Sequence, residues 1–189
     1  MKKTLLKLGC LCFLATAGLL AGVLEAQADP VLGLKLGLEG GINLANLNGQ
    51  NVNDVVGSRL GFVGGAFADI PFAPTLALQP EMLYEQKGGK YNGTAYQLDY
   101  IEVPILLNIG FGIPLINPSI LVGPSFNSNV ANSGLSNINQ NEMGFIVGAQ
   151  ANLFQFLFSG RYEIGLTNVS STQNIQNGTF TFLVGLSFI

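Results

Sequence analysis

The chain has 189 residues, 48% of them hydrophobic and only 10% charged, with 25 glycines and neither histidine nor tryptophan. Soluble domains carry roughly 25% charged residues, so this charge content and a mean hydropathy of +0.42 exclude an ordinary water-facing surface. The lack of histidine excludes Ser-His-Asp and Cys-His catalysis and any histidine-ligated metal, and a net charge of −3 argues against nucleic acid as a partner.

The first element is a leader. Lys2, Lys3 and Lys7 precede an almost wholly apolar run from Leu8 to Leu24, then Ala26-Gln27-Ala28 and Asp29-Pro30. A basic start, an apolar centre and a small-x-small site are the pattern of a cleaved secretory signal peptide. Residues 1–28 are therefore expected to be removed, leaving 29–189 as one domain. A retained anchor helix and a lipoprotein signal at Cys10 are the alternatives, but Lys7 is out of place for the second. Both cysteines, Cys10 and Cys12, lie in the leader, so the remaining chain has no disulfide or thiolate chemistry.

Beyond residue 30 the apolar residues alternate. Side chains of a strand point to opposite faces with period two. Leu32, Leu34, Leu36, Leu38, Ile42 and Leu44 share one face, against Lys35, Glu39 and Asn43 on the other. Leu60, Phe62, Ala66 and Ile70 repeat the pattern, followed by Leu76, Leu78, Met82 and Tyr84. Next come Ile101 to Ile109, Ile120 to Phe126, Phe145 to Leu153, Phe158 to Leu166, and Phe180 to Phe188. These make eight predicted strands. The predicted connections 46–58, 88–95, 128–141 and 169–178 are polar and longer, and 71–74 and 153–155 are short. The segment 110–117, with Gly and Pro, breaks an otherwise regular alternation. Short turns at one end and long loops at the other describe an up-and-down barrel.

The second face decides between water and lipid outside. It carries about one charge per strand and is otherwise Gly, Ser, Asn and Gln, too little charge for a soluble surface. It suits the crowded interior of a narrow barrel, with the apolar face on lipid. A closed barrel also satisfies every backbone polar group within the hydrocarbon. The expected fold is an all-β, eight-stranded antiparallel transmembrane barrel. Pro80, Pro104 and Pro124 lie within strands, where each is expected to mark a bulge or a strand end.

Several segments resemble the PorT-like outer-membrane β-barrel domain family, related in architecture to small OmpX-type and OmpA-type barrels. The residues are Leu78-Gln79-Pro80-Glu81-Met82-Leu83-Tyr84 with Lys87-Gly88-Gly89, and Tyr100-Ile101-Glu102-Val103-Pro104-Ile105-Leu106-Leu107. Val122-Gly123-Pro124-Ser125, Gly144 to Gly148 and Arg161-Tyr162-Glu163-Ile164-Gly165-Leu166 add to them, so the resemblance covers about residues 31–189. It implies a bacterial outer membrane and little about activity. The last strand looks like an outer-membrane assembly signal read by the barrel-assembly machinery, with Phe180, Phe182 and Phe188 on one face, although Ile189 follows where the family ends on an aromatic.

The inward charges are the candidate site. Lys35, Glu39, Glu81, Glu85, Glu102, Arg161 and Glu163 form the expected interior network, with Asp69 and Lys87 on the same face. Charges in so narrow a bore must pair. Arg161 is expected at the centre, with Glu81, Glu102 or Glu163 as partners. No catalytic residue, cofactor or metal site is expected. The expected role is a structural or surface-interaction barrel whose outer loops bind an unknown extracellular ligand; a narrow channel for small solutes or ions is the alternative.

Overall fold

The computed structural model describes residues 33–49, 57–91, 94–113, 115–133, 140–167 and 175–188. The expected leader, 1–28, lies outside the described residues. Eight strands follow in order: β1 (Lys35–Gly49), β2 (Gly57–Ala73), β3 (Leu76–Tyr91), β4 (Thr94–Gly110), β5 (Ile116–Ser133), β6 (Asn141–Leu153), β7 (Phe156–Gly165) and β8 (Ile175–Ser187). Each pairs antiparallel with the next, and β1 closes on β8 from Gly37↔Ser187 to Gly49↔Ile175, giving a closed barrel.

The alternation turns out as expected. Leu38, Phe62, Met82, Ile105, Phe145, Tyr162 and Val184 are exposed on the outside, while Glu39, Glu81, Glu102, Arg161 and Glu163 are buried. A barrel with apolar residues outside and charges inside is inverted relative to a soluble protein and is stable only with hydrocarbon around it.

The interior departs from the expected content. It is not lined by small and polar residues alone: Val63, Leu83 and Leu183 form one apolar cluster, and Leu106, Leu121 and Ile146 another. The inward Phe67 ring lies over Gly37 and Gly185, so glycine there makes room for an aromatic. Elsewhere the glycines allow strands to approach: a Cβ on Gly41 would strike the Phe182 carbonyl of β8.

The strands also run further than the pattern indicates. β3 and β4 extend until only residues 92 and 93 separate them, and β5 has 18 residues. Polar Asn, Gly and Ser carry no period-two signal, but backbone pairing continues through them. Pro80, Pro104 and Pro124 make no bulges. Register is unchanged from Gln79↔Leu106 and Pro80↔Ile105 to Leu83↔Glu102, and from Pro104↔Ser125 to Leu107↔Val122. Two ladder pairs are missing beside Pro104 and two beside Pro124, because proline has no N–H to donate. The register shifts lie instead at Ser58/Val63, Pro71/Ala73 and Asp99/Tyr100.

Candidate functional site

Along β3 the inward row reads Gln79, Glu81, Leu83, Glu85 and Lys87, all buried. This strand feeds two ionic clusters, with Leu83 between them.

The first cluster is centred on Arg161 of β7. One guanidinium nitrogen donates to Glu81 Oε2 at 2.5 Å, and the other lies 3.4 Å from Glu39 Oε2 and 3.4 Å from Ser159 Oγ. Glu81 also accepts from Gln79 Nε2 at 2.9 Å, and the Gln79 carbonyl oxygen accepts from Asn108 at 3.0 Å and from Gln150 at 3.3 Å. Amides of β3, β4 and β6 thus brace the arginine's partner across the bore.

The second cluster is centred on Lys87. Its ammonium lies 3.0 Å from Glu85 and 3.0 Å from Glu102, pairs with Glu163, and donates to Asn127 Oδ1 at 3.3 Å. Glu163 Oε1 accepts from Ser125 at 2.6 Å and Asn127 at 2.7 Å. Glu85 accepts from Asn43 Nδ2 at 2.7 Å. The Tyr100 ring centroid is 5.6 Å from the ammonium, and the Tyr100 hydroxyl donates to Glu142 at 2.6 Å.

Of the partners expected for Arg161, Glu81 is found and Glu102 and Glu163 are not. Arg161 takes Glu81 and Glu39, whereas Glu102 and Glu163 belong to Lys87. Position along a strand does not give height in the barrel, because tilted strands are staggered against one another. Lys87 is the residue whose importance that assignment missed; the signal was its place on the same inward row as Glu81 and Glu85. Lys35 joins neither cluster. It faces Asp69 across β1–β2 at the turn-side mouth, where both line a cavity of about 430 Å³. Phe180, Phe182 and Phe188 lie on the outer surface of β8, with the first two rings edge-to-face at 4.7 Å.

The arrangement crowds buried, ion-paired side chains from β1, β3, β4 and β7 into the bore. Glu85, Glu102 and Glu163 bring carboxylate oxygens within 4.8 Å of one another, a spacing that suits a cation. The Lys87 ammonium already serves as that cation. Among the described residues, six buried glutamates (39, 81, 85, 102, 142 and 163) face one buried lysine and one buried arginine. Both basic groups are paired with carboxylates, although the Arg161 Nε has no hydrogen-bond partner among the described residues.

Comparison with known proteins gives the same architecture. The Neisserial surface protein NspA has a TM-score of 0.53 at 16% identity, over 83% of this chain and 100% of that one. The outer membrane enzyme PagL has a TM-score of 0.53 at 10% identity, over 82% and 99%. Ail, the attachment invasion locus protein of Yersinia pestis, solved with the heparin analogue sucrose octasulfate, has a TM-score of 0.50 at 14% identity, over 83% and 100%. Identities this low show the fold alone. Among curated proteins no sequence matches this chain. The model of the outer membrane protein β-barrel domain family matches residues 25–171. Apolar outer wall, charged interior, closed eight-strand topology and this match agree: the chain belongs to the outer membrane protein β-barrel domain family.

Proposed function

We propose that this protein is a non-enzymatic surface barrel, a plugged scaffold that holds four outer loops above the bacterial outer membrane for contact with an extracellular ligand. The plugged bore carries the reading: two ion-pair clusters fill the interior, so the loops are left as the working surface. The extension of β3, β4 and β5 at the loop end supports it, since about 9–11 tilted residues suffice to span and these strands have 16, 17 and 18. Ail and NspA, an attachment locus protein and a surface protein by name, are similar in fold; PagL shows that this fold also houses an enzyme. PorT-like membership within the family, cleavage after Ala28, and Phe180, Phe182 and Phe188 as the assembly signal are parts of the same proposal. A secretion role is not.

The test uses the absence of cysteine beyond residue 12. Asn137→Cys in the connection between β5 and β6 and Gln155→Cys in the short turn between β6 and β7 are each exposed to a membrane-impermeant thiol reagent on intact cells. Labelling of the first and protection of the second is expected. The reverse pattern, or labelling of neither in cells that hold the folded barrel, contradicts the proposal.

A further inference from the structure

The turn side of the barrel has a composition that the plugged-scaffold reading leaves unused. The described turns lie within 70–78, 109–119 and 151–158, and with the end of β8 these segments contain no charged residue. They are strongly apolar at the surface. Phe154 is 80% exposed and Leu115 71%, followed by Phe188, Phe72 and Phe111. Phe154 and Leu115 also have positive φ, 55° and 74°. Glycine or asparagine is the ordinary occupant of such a position. The chain therefore accepts backbone strain at the two most exposed large apolar residues among the described residues.

The outer apolar band explains why. On β6–β7 it runs from Leu166 down to Phe156, about ten steps of about 3.3 Å; at a tilt near 40° this is about 25 Å, the height of an outer-membrane band. The band thus ends at the turns themselves, and Phe154, Leu115 and Phe111 continue it into the boundary of the leaflet on the turn side.

The cavity of about 430 Å³ opens at this level. Its lining includes the apolar Pro71, Ile113 and Leu115 and the polar Lys35, Asp69 and Asn117. Lys35 and Asp69 are direct cross-strand partners, yet no ion pair within 4.0 Å joins them among the described residues. Asp69 Oδ1 is buried and accepts no hydrogen bond among the described residues.

We infer that this mouth is a phospholipid headgroup site. The apolar turns sit in the lipid leaflet on the turn side, and the Lys35–Asp69 pair receives a zwitterionic headgroup, phosphate on Lys35 and a primary ammonium on Asp69. A carboxylate oxygen without a donor takes an N–H; a trimethylammonium group has none to give. A primary-amine headgroup is therefore preferred.

Two measurements test this. The chain has no tryptophan, so Phe154→Trp introduces a single tryptophan that can be excited apart from the tyrosines. In vesicles its emission is expected to be quenched by lipid brominated near the glycerol end of the acyl chain and shielded from aqueous acrylamide. Quenching by acrylamide with none by brominated lipid overturns the proposal. Separately, native mass spectrometry of the detergent-purified full-length barrel follows short-chain phosphatidylethanolamine, phosphatidylcholine and phosphatidylglycerol. Phosphatidylethanolamine is expected to bind best. Asp69→Asn and Lys35→Gln, each first shown to keep the heat-sensitive gel mobility of a folded barrel, are expected to weaken it about tenfold. Equal binding of all three lipids, or no change in either variant, overturns it. Displacement of the lipid by free phosphoethanolamine at a similar concentration assigns the site to a soluble ligand and overturns it too.

Discussion

Arg161 and Lys87 show how position in the bore decides a residue's role. Each is buried and held by two or three carboxylates. Removing one partner of a buried pair leaves the other charge in a medium that cannot solvate it, at about 3–5 kcal/mol. Arg161→Met, which abandons Glu39 and Glu81, is therefore expected to lower the urea midpoint of the barrel refolded in vesicles by an amount of that order. Arg161→Met combined with Glu39→Gln and Glu81→Gln is expected to recover most of the loss, since no orphaned charge remains. If the triple variant is no more stable than the single one, the carboxylates are not what Arg161 serves. The sequence made the inward placement of these charges legible through period two. It did not show that Glu102 and Glu163 serve Lys87 rather than Arg161, because that depends on the stagger of β3, β4 and β7, which no single strand encodes.

At the level of the strand, neighbouring glycines have opposite consequences. A Cβ at Gly41 runs into the Phe182 carbonyl across the closing seam, whereas one at Gly40 meets only the Val63 carbonyl oxygen at 3.6 Å. Gly41→Val is expected to weaken the β1–β8 seam, read as loss of the fast-migrating unheated band in gels. Gly40→Ala is expected to keep it. Equal tolerance of both would mean that the seam has slack the packing does not show. The eight strands were legible because Leu, Ile, Val and Phe alternate with small and polar residues along each. Their ends were not, since the Asn- and Gly-rich stretches near Asn129 and Gln176 have no apolar alternation and are carried by cross-strand pairing. The prolines misled for a related reason: the lost N–H is absorbed as missing ladder pairs, with no residue inserted.

For the whole molecule, low charge and abundant glycine have one physical source. A narrow barrel in lipid needs an apolar exterior, close strand approach and few interior charges, most of them paired. On the proposed reading the barrel is a scaffold whose bore the two ion-pair clusters close. Single-molecule conductance across a planar bilayer containing the purified barrel tests this most directly. The expected result is no discrete current steps at either polarity in molar potassium chloride. Reproducible unit steps from the wild-type protein, lost on heat unfolding, would contradict it and make the barrel a channel.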